Sequence, residues 1–164
     1  MEIIYFEKAS VIKREKENLE KKLNVSISIQ GKKITIEGSP IQEYETTRVM
    51  EAMTFGFSAK KALSLLNEEM IFRKLSIKNF TRRKNLYEVR ARLIGSEGQT
   101  KKTIQEIARC SIIIKNNEVG IIGPTDSIDE ATTALASLIR GSKQANVYHY
   151  LEKTNTSRKK YKIK

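Results

Sequence analysis

Leu93-Ile94-Gly95-Ser96-Glu97-Gly98-Gln99-Thr100-Lys101-Lys102 is the stretch that decides the fold. Before it, Val89, Ala91 and Leu93 alternate with Arg90 and Arg92, the period of a half-buried strand. After it, from Gln99 to Arg109, the period turns helical, with Ile104, Ile107 and Ala108 on one face. Between them lies Gly-x-x-Gly. Glycine admits backbone angles closed to other residues, and it removes the Cβ atoms that hold a ligand's backbone away. The helix that follows points its free N–H groups and positive dipole end at the turn. The spacing predicts a loop across which a phosphate chain can lie.

Downstream, Ser111 to Lys115 reads as a strand, Asn116-Asn117 as a tight turn and Glu118 to Ile122 as the returning strand. Gly123-Pro124-Thr125-Asp126 opens a helix with Ile128, Ala131, Leu135, Leu138 and Ile139 on one stripe, and Gly141 closes it. Upstream, residues 73 to 84 read as a basic connector, rich in Arg and Lys.

The first half repeats this order. Residues 1 to 6 form a strand and Ala9 to Leu23 a helical pattern. Val25, Ile27 and Ile29 then alternate with serines and Gln30, Gly31-Lys32 turns the chain, and Ile34 and Ile36 return it. Ser39-Pro40 starts the next helix, with Gln42 placed for a capping box and Ile41, Tyr44, Val49, Ala52 and Met53 as its stripe. A short helix with Ala59, Ala62, Leu63, Leu65 and Leu66 follows. Sliding the chain by 85 residues sets the two halves in register without a gap: Ser26, Ile36, Gly38 and Gly56 fall on Ser111, Ile121, Gly123 and Gly141. Gly95 and Gly98 fall on Ser10 and Lys13. The first copy thus keeps the scaffold without the glycines, which assigns the glycines to function.

Net charge is +12 over 164 residues, and hydrophobic content is 39%. A packed core is available, and the charge suits a polyanionic partner, nucleic acid in preference to a membrane surface. Cys110 is the single cysteine and His149 the single histidine, so an internal disulfide and a cysteine-cluster metal site are excluded. Cys110 reads as a buried small side chain. Paired catalytic carboxylates, metal-ligand spacings and a Walker loop are lacking, so the expectation is a binding protein and no enzyme, with no cofactor and no metal. With no apolar run of about 18 residues and no secretion signal, the expected location is cytoplasmic.

The order strand, Ile-Gly-x-x-Gly, helix, strand, turn, strand, helix resembles the KH domain of type I, whose loop clamps about four nucleotides of single strand. The expected fold is α+β: tandem KH type I domains, each a three-stranded antiparallel sheet packed on three helices. The divisions are 1–72 for a degenerate domain without the loop, 73–84 for the connector, 85–152 for the domain with it and 153–164 for a basic, flexible tail. In such a domain the RNA contacts fall on Gly95, Ser96, Glu97, Gly98 and Gln99 of the loop. Arg90, Arg92, Lys101 and Lys102 supply charge. Ile94, Ile104 and the strand Ser111 to Ile114, with Ile112 and Ile113, floor the groove.

Four stretches are more specific: Gly56 to Leu63, the loop itself, Val119 to Gly123, and Arg140 to Glu152 with its Val147-Tyr148-x-x-Leu151-Glu152. They resemble the Partner-of-Nob and Krr family of two-KH small-subunit ribosome assembly factors, in its archaeal form. That resemblance implies binding to single-stranded rRNA near the 3′ end of the small-subunit (16S) rRNA. It also implies pre-rRNA maturation with a Nob-type endonuclease, and the alpha subunit of translation initiation factor 2 as a partner. Glu97 departs from the family, where glycine or a basic residue is usual, and Gln144 stands where histidine is common. The rival class is a KH-fold protein-interaction module that has lost RNA binding, with Glu97 as its support. An exosome cap subunit would need a further barrel, and a Nus-type factor has its KH elements in the other order.

Overall fold

The computed structural model describes residues 1–162. The chain divides into two compact units, Met1–Phe72 and a second beginning at Arg73. In the first, the order is β1 (Glu2–Tyr5), α1 (Ala9–Arg14), α2 (Lys16–Leu23), β2 (Ser26–Gln30), β3 (Lys33–Glu37), α3 (Pro40–Phe55) and α4 (Ala59–Leu63). Its strands lie in the order β1-β3-β2, with both pairings antiparallel. Alternation along β3 turns Ile34 and Ile36 to the core, and Ile12, Leu19, Val49, Met50 and Met53 of the helices are likewise fully buried. Each such burial contributes about 1.5–3 kcal/mol. The predicted capping box of α3 is present: Ser39 Oγ accepts the Gln42 N–H and Gln42 Oε1 accepts the Ser39 N–H.

The second unit runs β4 (Met70–Ser76), α5 (Leu86–Ile94), α6 (Gln99–Ala108), β5 (Ser111–Lys115), β6 (Glu118–Pro124), α7 (Thr125–Arg140) and α8 (Gln144–Lys162). The division between the units falls inside β4. The strand order β4-β6-β5 leaves β5 on an edge. Thus both sheets are three-stranded, in a mixed α/β architecture.

The hairpin strands and the long helix keep a constant offset between units. β2 and β5, and likewise α3 and α7, begin and end 85 residues apart. Left-handed backbone recurs at the same offset, at Asn24 and Arg109, Gly31 and Asn116, and Gly56 and Gly141. So does one close approach. A Cβ on Gly38 would lie 2.9 Å from Val25 Cγ1, and one on Gly123 would lie 2.6 Å from Cys110 Sγ.

Several expectations are corrected. Residues 86–94 form a helix, so a helix and not a strand enters the glycine loop. Leu86, Val89 and Leu93, spaced three and four apart, place the apolar side of α5. Residues 73–84 are no free connector: Arg73 to Ser76 belong to β4, and Ile77–Asn79 form a 3₁₀ turn. Arg73 is bound to Asp129 at 2.9 Å, and Arg140 lies over the Phe80 ring at 5.6 Å. The gapless repeat holds only from α2 onward, because β4 lies too far upstream to match β1. Ser10 sits inside α1, and Glu15 alone separates α1 from α2. Ile41 and Tyr44 face solvent, while Glu43 and Thr46 lie on the buried side of α3.

The basic tail is helical. α8 continues through Lys162, where a flexible end was expected from 153. Val147 and Leu151, one turn apart, are its buried anchors, and Asn155 Nδ2 donates to the Ile107 carbonyl. Ile163 and Lys164, the last of the tail, lie outside the described residues.

Candidate nucleic-acid interface

α5 ends where the Gly95 N–H bonds the Ala91 carbonyl at 2.8 Å. The chain then turns through Ser96–Gly98 as one 3₁₀ turn, closed by the Gly98 N–H on the Gly95 carbonyl at 3.1 Å. Gly95, Glu97 and Gly98 all have positive φ, at 78°, 55° and 73°. α6 starts at once, so its first-turn N–H groups lie against the loop. The two glycines differ. A Cβ on Gly95 would lie 2.2 Å from Thr100 Oγ1 and 2.6 Å from the Thr100 nitrogen, whereas one on Gly98 meets nothing within 4 Å. Gly95 is therefore also a packing requirement of the helix–loop–helix joint, which corrects the purely functional role assigned to it. At Gly98, the missing side chain leaves open surface.

Beside the loop lies a cleft of about 420 Å³, lined by Tyr87, Arg90, Ile94, Gly95, Ile114 and Asn116 among others. Ile94 is 38% exposed and Tyr87 72%. Arg90 lies 5.9 Å from the Tyr87 ring centroid and donates to the Asn116 carbonyl at 3.1 Å; its Nε is buried without a partner. On the open edge of β5, the Ile112 N–H is taken by Gln105 Oε1 at 2.8 Å. Ile114 is the next residue turned to that edge, since antiparallel pairing alternates. Its main chain can read the edge of a base.

A second cleft, of about 470 Å³, lies on the other side of the loop, with Ser96, Gln99, Gln144 and Tyr148 on its walls. Ala91 and Gly95 line both clefts, so the last turn of α5 and the first loop residue lie between them.

The residues expected to bind RNA do not all come together. Gly95, Ser96, Gly98 and Gln99 lie at the loop, with Glu97 at its exposed tip and Ile94 on the cleft wall. Lys101 and Lys102 stand on the first turn of α6 and make no ion pair among the described residues. Arg90 and Arg92 are engaged within the protein, Arg92 donating to the Leu138 carbonyl at 3.2 Å and to the Ser142 carbonyl at 2.6 Å. Ile104 and Ile112 are wholly buried and cannot floor an open groove. Ile113 points to the opposite face of β5, as alternation requires, so the floor is Ile94 and Ile114. Tyr87, Asn116, Gln144 and Tyr148 were not expected at the interface; Gln144 and Tyr148 entered the sequence reading only through the family resemblance, and Asn116 only as a turn residue. For Tyr87 the available signal was its helical spacing to Arg90.

Helix, Gly-x-x-Gly, helix and an edge strand over an apolar cleft define a KH domain of type I. The chain belongs to the PNO1 family: the family profile of the second PNO1 KH domain, a eukaryotic-type KH-domain (KH-domain type I), matches residues 71–156. A KH domain-containing protein of Methanocaldococcus jannaschii is 27% identical over 145 residues, covering 84% of this chain and 64% of the relative. The pre-rRNA-processing protein pno1 of Aspergillus fumigatus is 28% identical over 134 residues, covering 79% of this chain and 52% of the relative. The chain thus spans less than two thirds of the length of these relatives. A crystal structure of an a/eIF2alpha–aDim2p–rRNA complex from Pyrococcus horikoshii OT3 matches with a TM-score of 0.83 and 28% identity, covering 95% of this chain and 94% of that one. Among the described residues no helix is long and apolar enough to cross a membrane.

Proposed function

We propose that this protein is an RNA-binding ribosome biogenesis factor. Its second unit grips single-stranded rRNA near the 3′ end of the small-subunit rRNA and assists pre-rRNA maturation beside an endonuclease of the Nob type. The carrying observation is the loop geometry: three of four loop residues at positive φ, next to an apolar cleft, with Gly98 open to an approaching backbone. The backbone of the strand crosses at Gly98. Lys101 and Lys102 supply the phosphate attraction that the loop itself lacks. Bases enter the cleft over Ile94 and Ile114, with Tyr87 at its mouth. The factor acts by binding, without catalysis or a cofactor, and in the cytoplasm. The names of the relatives support this reading, as does the partnership of archaeal Dim2p with rRNA and a/eIF2alpha. The alpha subunit of initiation factor 2 is accordingly a proposed partner here.

In the same reading, the first unit is a second, degenerate KH domain, and residues 1–72 and 85–152 descend from one ancestor. Support comes from the shared strand order and from the constant offset of α3 and α7 and of the Gly38 and Gly123 contacts. In place of a four-residue loop, this unit has Glu15 alone between its first two helices.

Photocrosslinking to an oligonucleotide of the small-subunit 3′ region tests the reading. Crosslinked peptides from α5, the loop and β5 are expected. Crosslinks confined to the first unit would overturn it. Glu97, exposed at the loop tip, favours the second reading, a protein-interaction module. In that case the oligonucleotide would yield no crosslinks.

A further inference from the structure

α8 brings side chains to the glycine loop from outside the helix–loop–helix joint. Gln144 and Tyr148, one turn apart at its start, face Ser96, Gln99 and Thr100 across the second cleft. The cleft, of about 470 Å³, is shallow and broadly open to solvent, so it suits a group laid on a surface and not one enclosed in a cavity. Tyr148 and Gln144 are both half-buried. Among the described residues, neither the Gln144 amide nor the Tyr148 hydroxyl has a hydrogen-bond partner. Arg92, in the same wall, places a guanidinium at the cleft while bonding the carbonyls of Leu138, in the last turn of α7, and Ser142, just before α8. The site therefore combines an aromatic ring, a free amide that can donate and accept, and a fixed positive charge. These groups suit a nucleobase with its phosphate.

The position of the cleft says which nucleotide. Because Ala91 and Gly95 line both clefts, a strand whose backbone crosses the loop has one cleft on each side of its path. We propose that the outer cleft is a further nucleotide subsite, which takes the base adjoining the segment held in the inner cleft. This inference rests on the RNA-binding reading of the loop. The base lies against the Tyr148 ring, and the Gln144 amide meets its edge. Recognition is thereby lengthened by one nucleotide on one side only.

A nested series of oligonucleotides from the small-subunit rRNA 3′ region, shortened one nucleotide at a time from either end, reads this directly. For the wild type, affinity falls in a step of about five- to tenfold when the adjoining nucleotide is removed, at one end and not the other. Tyr148→Ala and Gln144→Ala each abolish or shrink the step and bind the shortest competent RNA as the wild type does. Tyr148→Phe keeps it. Thermal melting of each variant separates a folding defect from a lost contact. A wild-type series without a one-sided step overturns the subsite, as does a step unchanged in both Tyr148→Ala and Gln144→Ala. Binding of free adenosine monophosphate that Tyr148→Ala removes, with the RNA step intact, would make the cleft an independent nucleotide site and overturn the shared path. Gly98→Asp, run on the shortest RNA, distinguishes the two failures. If it binds that RNA as the wild type does, the reading of the loop fails; if it loses binding while the step is absent, only the subsite fails.

Discussion

Gly95 and Thr100 are packed so closely that no side chain fits between them: a Cβ on Gly95 would lie 2.2 Å from Thr100 Oγ1. Thr100 is itself buried, so it has little room to give way. Gly95→Ala combines this overlap with positive φ and is expected to cost about 2–4 kcal/mol of stability. Gly98→Ala pays only for its backbone conformation, about 1 kcal/mol. Denaturant unfolding of the two variants compares them, and equal losses would contradict the division of roles.

Arg92 ties α5 to the last turn of α7 and to the turn before α8, through the Leu138 and Ser142 carbonyls. Charge-assisted hydrogen bonds of this kind contribute about 1.5–3 kcal/mol each. Arg92→Ala is expected to lower stability by about 2–4 kcal/mol, and to speed amide exchange in the first turns of α8. Arg92→Lys should behave nearly as badly, because a single ammonium cannot reproduce the planar fork. Unaltered exchange in α8 would show that Arg92 does not hold it.

Ile94 and Ile104 lie one helix apart and differ in burial, 38% exposed against fully buried. Ile104→Ala should cost about 2–5 kcal/mol, as core truncations do. Ile94→Ala should cost less than about 1 kcal/mol of stability while weakening RNA binding roughly tenfold, the loss of the apolar area that a bound base would cover. Unfolding and binding measured together on both variants decide this. The reverse pattern would move the groove into the present core.

Glu97 holds a left-handed backbone conformation at the exposed tip of the loop. A carboxylate there opposes a phosphate. Glu97→Lys is expected to raise RNA affinity several-fold at low salt and to steepen the salt dependence by about one to two in slope. Affinity that does not change would place the phosphates elsewhere.

These residues also show how far the sequence carried the fold. The first hairpin was legible because Ile27, Ile29, Ile34 and Ile36 alternate with polar residues, and the second because the short apolar runs 112–114 and 119–122 flank the Asn116-Asn117 turn. α3 was legible from Ser39, Pro40 and Gln42. α5 was not, because five residues from Val89 to Leu93 satisfy a period of two. Only the window reaching back to Leu86 shows the helical spacing. β4 was hidden by Arg73 and Lys74, whose charges are absorbed by pairing with α7 and by exposure. On α3, Glu43 and Thr46 occupy the buried side, so the apolar stripe drifted onto Ile41 and Tyr44. Beyond Leu151, α8 has no apolar stripe to reveal it. It is tied down in part by a hydrogen bond from Asn155 to Ile107.

The site was legible as a loop, because Gly-x-x-Gly before a helix is a local pattern. Its walls were not. Whether Ile94, Ile104, Ile112 or Ile113 meets solvent depends on which strand is the edge, and strand order is not written in any one of them. Tyr148 and Gln144 reach the loop only because Val147 and Leu151 dock α8, a long-range consequence.

One titration decides the role of the glycine loop. A labelled oligonucleotide of the small-subunit rRNA 3′ region is titrated with wild type and with Gly98→Asp, a substitution at a position where a Cβ meets nothing within 4 Å. Asp tolerates left-handed backbone, so the fold is retained and melting should shift by only a few degrees. The expected result is a loss of affinity of at least about tenfold, as a carboxylate replaces an open approach for phosphate. Equal affinity of the two proteins, both folded, would contradict RNA binding at this loop.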